Sequence, residues 1–459
     1  MTETKTAVKW GELPQVNPNA AGLDVSAAEI VACVPRDRAE EAIRSFGTYT
    51  PDLHALAHWL KECGVETVAM EATGVYWIPV YEVLEGQGFG VHLVNARHVK
   101  NVPGRKSDVS DAQWIQTLHS YGLLRDSFLP DESWRVLRVY WRQRTSLIEH
   151  RAPHIQHMQR AMQHMNLQLT QALSDITGAT GMQIIRAIVA GERNPVTLAQ
   201  FRDPRCKHCA DDIAKALTGN YREEWLYVLK QALDLFDFYT AQIAQCDVQI
   251  EREYERMHAS SDQDYGAPPP LPDRPKSKSH IKNAPAFDAR SHLYRLTGVD
   301  LVAVTGLEES TVQTILSEIG TDMSRWRTQK HFSSWLALAP HNDITGGKVV
   351  RSRVPKRHSR AGQAFRMAAR SVSRSDSAFG AYFRRLASHL GVEQATVATA
   401  HKIARTVYAM LKNRTPFQEM GADEYESRHR ERVVARLRYK ARTLGFSLVP
   451  QEAPSGATF

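Results

Sequence analysis

Cysteine is scarce in this chain. Five residues (Cys33, Cys63, Cys206, Cys209 and Cys246) occur in 459, an odd number at irregular spacing. That excludes a disulfide-stapled secreted scaffold and suits reduced thiols in a cytoplasm. "CKHC" at 206–209 lacks the second ligand pair of a structural zinc site. Long apolar runs are absent as well. No stretch approaches the ~18 apolar residues of a transmembrane helix, so no membrane span is expected. The opening "MTETKTAVKWGELPQ" has no apolar secretory segment. Acidic residues are nearly missing from one region: Lys348 to Arg385 holds eleven Lys and Arg against Asp376 alone. The whole chain carries a net charge of +8. A solvated face normally intersperses both signs, so this local excess reads as a footprint for a polyanion.

What is present divides into zones, as the length allows. Residues 1–19 are expected to be disordered. Over 20–130, "AGLDVSAAEIVACVP" reads as strand, turn, strand; "VETVAMEAT" as a strand ending on a carboxylate; "IPVYEVLEGQG" as a helix; and "FGVHLVNA" as a strand. A further helix is expected from about Ser107. Residues 131–262 change to long helix. Trp134, Trp141, Ile148, Ile155, Met162 and Leu169 recur every seven residues, as do Phe236, Ile243, Ile250 and Met257, which predicts a coiled coil or helical hairpin kinked at Pro153. Residues 263–289 contain six prolines and read as an extended linker. Within 290–445, "GVDLVAVTGLEESTVQTILSEIG" resembles a helix-hairpin-helix, and "EQATVATAHKIARTVYAMLKN" is a closing helix. Residues 446–459 are a tail. The expected class is α/β followed by α.

Two patterns carry chemistry. Asp24 lies inside an apolar strand signal and Glu71 ends another, where an unpaired buried charge is costly. Asp108 and Asp111 stand three apart near a helix start, a spacing that shares one face but that an ordinary helix cap also explains. Together the four favour a site for Mg²⁺, which takes oxygen ligands and keeps room for a phosphate. Two such ions at about 3.5–4 Å stabilise both the attacking and the leaving oxygen in phosphoryl transfer. Arg105 and Lys106 precede the pair and would neutralise a nucleic-acid strand. The second pattern is "PHNDITGGKVVRSR" (340–353). Gly346 and Gly347 permit close backbone approach, and Lys348, Arg351, Arg353, Lys356 and Arg357 are candidate phosphate contacts. Thr345 is a candidate nucleophile, Ser352 an alternative hydroxyl, and a plain turn role for Thr345 the bland option.

The segments "GLDVS", "MEATGVYW", "NARHVKNVPGRKSDVSDAQWI" and "WLALAPHNDITGGKVVRSR" resemble, in order, the motifs of bacterial DEDD insertion-sequence transposases. That family includes RNA-guided bridge recombinases and pilin-gene invertases. The likeness covers roughly 20–175 and 290–415, with the extended middle of one subgroup between them. It implies a RuvC-like (RNase H-type) N-terminal domain whose Mg²⁺ tetrad is Asp24, Glu71, Asp108 and Asp111. It also implies a C-terminal domain supplying a hydroxyl nucleophile across a composite site, with Thr345 where the family has serine. Strand exchange through a covalent protein–DNA intermediate follows, guided by a noncoding bridge RNA, in dimers that pair into tetramers in the bacterial cytoplasm at the nucleoid. A RuvC-like endonuclease using metal-activated water is the alternative. A sugar-kinase or actin-like ATPase would share "GLDVS", but its further phosphate loops are lacking.

Overall fold

The computed structural model describes residues 14–72, 74–95, 99, 110–261, 264–271, 283–355 and 359–449. The chain forms two compact units, Met1–Leu129 and Pro130–Phe459.

The first unit contains β1 (Ala20–Val25), β2 (Ile30–Cys33), β3 (Ile43–Phe46), α1 (Thr50–Glu62), β4 (Thr67–Glu71), α2 (Trp77–Gly86), β5 (Gly90–Val94) and α3 (Asp111–Ser120). The strands form one mixed sheet of order β3-β2-β1-β4-β5. The first three are antiparallel neighbours; β4 and β5 run parallel to β1. Period-2 alternation sorts the side chains. Ala21, Leu23, Val25, Val68, Met70 and Leu93 join Leu53, Leu56 and Leu60 of α1 and Val80 and Leu84 of α2 in one core. Ala69 and Val94 point the other way, onto Trp114, Ile115 and Leu118 of α3. Gly22 shares that second face. A Cβ there would stand 2.2 Å from the Gln116 amide nitrogen and 2.4 Å from the Ala112 carbonyl, so only glycine lets α3 lie this close. Residues 14–19 are held in place: the amides of Val16 and Asn17 donate to the Ser120 carbonyl. Sequence reading did not identify β3 or α1.

The second unit is mostly helical. It begins with α4 (Glu132–His164), continues through the short α5 (Leu169–Ala172), α6 (Ala179–Val189), α7 (Pro195–Ala199) and α8 (Ala210–Ala216), and returns along α9 (Glu223–Ala259). The two long helices, 33 and 37 residues, pack on each other within the chain, and α4 continues through Pro153. Trp134, Trp141 and Met162 of the heptad row are buried on α4, as are Ile243, Ile250 and Met257 on α9. At one end Met158, Met162, Ile184, Ile188, Leu229 and Leu233 make a separate core under the short helices.

Then follow α10 (Ala289–Thr297), α11 (Glu309–Ile319), α12 (Gln329–Trp335), the hairpin β6 (His341–Thr345) and β7 (Lys348–Arg353), and α13 (Arg360–Ser371), α14 (Ala378–Leu390), α15 (Val392–Asn413) and α16 (Ala422–Thr443). The expected helix-hairpin-helix over 298–320 differs in detail. Between Gly298 and α11 the chain forms only a 3₁₀ turn, Leu301–Ala303; Asp300 caps it by accepting from the Val302 amide, and Gly306 follows at φ +90°. No helix of the described residues is long and apolar enough to cross a membrane.

Candidate active-site elements

Asp24 and Glu71 are brought together by strand register. Leu23 pairs with Met70 in the parallel β1–β4 ladder, so Asp24 and Glu71 follow as the next neighbours at the carboxyl ends of both strands. Asp24 shares the face of Gly22, and Glu71 that of Ala69, which is the face covered by α3. That helix runs antiparallel to β1: Ala112 and Gln116 flank Gly22, and the Gln116 side-chain amide reaches back to the Ala20 carbonyl at 3.3 Å. Its N-terminus, with Asp111 as first residue, therefore lies at the strand ends that carry the two acids.

The electrostatics agree with this placement. The Asp24 carboxyl is held above its ordinary value by burial first, then by the charges of Asp111 and Glu71. All three causes disfavour the ionised form, as expected of like charges in a half-buried site. The α3 N-terminus opposes them in part: Ser110 Oγ accepts from the Gln113 amide at 3.2 Å, and the helix dipole favours negative charge there. The sequence spacing placed Asp111 just inside a longer helix; Ser110 instead caps a helix that begins at Asp111. Asp108, Arg105 and Lys106 lie outside the described residues. Among the described residues no group of three or more His, Cys, Asp and Glu is closed enough to hold a metal ion. The donor chemistry of Asp24, Glu71 and Asp111 nonetheless fits a hard divalent cation, which takes carboxylate oxygens and would offset the negative charge of all three.

Two histidines escaped the sequence reading. His92 on β5 meets Asp126 at 2.9 Å through Nδ1, and this hydrogen bond raises its pKa. His119 at the end of α3 contacts Thr67 Oγ1 at 3.1 Å and is lowered to about 4 by burial and by His92. They lie on the same sheet face but toward the opposite end of α3. No local motif marks them, because β5 and α3 meet only in the fold.

In the second unit Thr345 closes β6 and pairs with Lys348 across the two-residue turn Gly346–Gly347. Both glycines have positive φ, 56° and 75°, the requirement of a hairpin turn that matches strand twist. The segment is thus a hairpin, irregular between Asp343 and Ile344. All of β7 is exposed, Lys348, Arg351 and Arg353 included. Ile344, Val349 and Val350 are exposed too, at 62, 55 and 70 %. The Thr345 hydroxyl makes no hydrogen bond among the described residues, whereas Ser352 Oγ donates to Asn342 Oδ1 at 2.7 Å. Lys356 and Arg357 lie outside the described residues. The cysteines of "CKHC" separate into local roles: Cys209 Sγ caps α8 by accepting from the Asp212 amide, and Cys206 lies beside Thr180.

Carboxylates at neighbouring strand ends in one unit, and in the other a basic hairpin with an exposed hydroxyl, are features of an enzyme that processes nucleic acid. Comparison with family models agrees with that class. The model DEDD_Tnp_IS110, a transposase, matches residues 21–167, and the Transposase IS116/IS110/IS902 family matches 300–384. The chain belongs to the IS110 family of DEDD transposases. It is accordingly a DNA-processing enzyme of an insertion sequence, and DNA is its substrate. A comparison with curated proteins gave no match.

Proposed function

We propose that the chain recombines DNA by Mg²⁺-dependent strand cleavage and exchange, through a RuvC-like domain at 20–130 and a transposase domain at 290–445, with the coiled-coil insert 131–262 and linker 263–289 between. Asp24, Glu71 and Asp111, with Asp108, would hold the metal, two ions per site. When bound, Mg²⁺ neutralises charge on the attacking and leaving oxygens. The chain's own residues do the rest. Asp24 and Glu71 are fixed by the sheet, so their positions need no reorganisation at the moment of reaction. The basic hairpin holds the DNA backbone through Lys348, Arg351 and Arg353, with Arg105, Lys106, Lys356 and Arg357 as further contacts. Gly346 and Gly347 remove side-chain bulk beside Thr345. Its oxygen bonds to phosphorus as one bridging P–O bond breaks; the threonine gives up its hydroxyl proton, the departing DNA oxygen takes one up as a free hydroxyl, and the strand is held covalently until the reverse step rejoins it.

The observation that supports this most is the parallel register that sets Asp24 beside Glu71 at neighbouring strand ends, with Asp111 opening the helix that covers the same face. The family likeness supports guidance by a bridge RNA, assembly from dimers to tetramers, and work at the bacterial nucleoid. The test incubates the chain with its cognate RNA, labelled DNA and Mg²⁺, and looks for a protein–DNA adduct. Thr345→Ala and Asp108→Ala should abolish it and Thr345→Ser should retain it. Cleavage without any adduct would favour the RuvC-like endonuclease that uses water.

A further inference from the structure

Neither family match extends past residue 384, and beyond it the chain builds a second concentration of positive charge. Lys402 on α15 holds its Nζ 4.4 Å from the ring centre of Tyr425, 4.7 Å from Tyr382 and 5.7 Å from Phe379. The ammonium is lowered to about 8 by burial and then by Arg385, Arg432 and Arg405. The three charged groups that shift it are all cations. Ring faces offset such a charge only in part.

Arg385 repeats the pattern. It lies over Tyr425 and Tyr382 at 5.1 and 5.7 Å and donates to the Tyr425 hydroxyl at 2.7 Å. Its Nη1 is buried without a hydrogen-bond acceptor among the described residues, and the Glu426 carboxylate is 3.8 Å away, too far to serve as one. Lys402 and Tyr425 line a cleft of about 620 Å³ whose wall includes Phe379 and Phe417, their rings stacked at 6.1 Å and 9°. Arg428 and Arg432 of α16 stand at it, with Glu431 as its carboxylate. A bare anion would answer the cations but leave the aromatic wall and most of the volume unused. A planar ring bearing a phosphate uses all of them.

We propose that this cleft takes one unstacked nucleotide of a nucleic-acid single strand, its base against Phe417 and its phosphate at Lys402, Arg428 and Arg432. The exposed Arg436 and Lys440, one and two turns beyond Arg432 on the same side of α16, continue the track for the adjoining backbone. The inference rests on the reading that the chain works on nucleic acid, but not on its cleavage chemistry.

Binding is therefore measured on the full chain in EDTA, where failure of strand transfer has no effect. The probes are single-stranded DNA and RNA oligonucleotides of roughly twelve residues carrying a fluorescent purine, the matching duplex, and nucleoside monophosphate or inorganic phosphate as competitors. The fluorescent base should be quenched in at least one of the two single strands, which also identifies the sugar. Lys402→Gln and Arg432→Gln should each weaken single-strand binding about tenfold and flatten its salt dependence by about one charge. Phe417→Leu should remove the quenching, with duplex affinity unchanged. Arg432 and Phe417 test the cleft even where Lys402→Gln fails to fold. Quenching in neither strand overturns the proposal. So does equal loss of single-strand and duplex affinity, which would mean diffuse charge, or competition by phosphate as strong as that of the monophosphate, which would mean an anion site without a base.

Discussion

Arg144 on α4 and Asp247 on α9 form a two-pronged ion pair, 2.5 and 3.2 Å, at 2 and 4 % exposure. Arg144 also donates to the carbonyls of Asn283 and Ala284, and Asp247 accepts from the Ala286 amide. One buried pair therefore joins both long helices to the end of the proline-rich segment. Breaking it from one side strands a buried charge. Asp247→Leu should destabilise the second unit by about 3–5 kcal/mol, while Arg144→Met with Asp247→Leu should recover much of that loss. Denaturant unfolding of the three chains decides it; equal loss in single and double variants would show that the charge pairing is not the source.

Asp24 works against stability. Its folded pKa is raised, so the folded state binds the extra proton. The native state is least penalised below the ordinary aspartate value near 3.8 and loses stability as pH rises through the raised value. Asp24→Asn should raise the melting temperature at pH 7, with the gain shrinking toward pH 3.8. Added Mg²⁺ should raise the melting temperature of the unaltered chain and not that of Asp24→Asn. A neutral-pH melting temperature unchanged by the substitution would contradict the coupling.

His119 should give the opposite sign. Its pKa is lowered to about 4, so the stability it contributes is present above about 6.5 and is lost as pH falls toward 4. His119→Gln should flatten the melting-temperature profile between those values. An unchanged slope would remove His119 as its source.

Gly22 sets the distance between Asp24 and the start of α3. Gly22→Ala should cost about 1–3 kcal/mol by overpacking against Gln116 and Ala112. It should also weaken the Mg²⁺-dependent rise in melting temperature, since Asp111 moves with the helix. Loss of stability with an unaltered Mg²⁺ response would separate packing from the site.

The hairpin turn needs left-handed backbone at two successive residues. Gly346→Asn should be tolerated, because asparagine accepts that conformation, whereas Gly347→Val should disrupt the turn. Since β7 is wholly exposed, global stability should change little in either case. The readout is adduct yield: retained in Gly346→Asn, lost in Gly347→Val. Equal yields would mean that the turn does not position Thr345.

Much of the site was legible in the chain because its residues sit in short patterns whose geometry is local. An acid inside "GLDV" and one ending "VAME" are anomalous in apolar strands, and Gly346–Gly347 after a hydroxyl marks a tight turn. The heptad rows likewise announced α4 and α9. What local pattern could not decide was which strands are neighbours. Asp24 meets Glu71 only because β1 and β4 pair in parallel with Leu23 opposite Met70, and meets Asp111 only because Gly22 admits α3. The histidines of β5 and α3, the buried Arg144–Asp247 pair and the cation-rich cleft around Lys402 are contacts across tens of residues or more. The sequence by itself determined the class of elements, the family and the chemical groups available. Tertiary structure alone decided which charges face one another, because that depends on register and close approach, which no stretch of sequence carries alone.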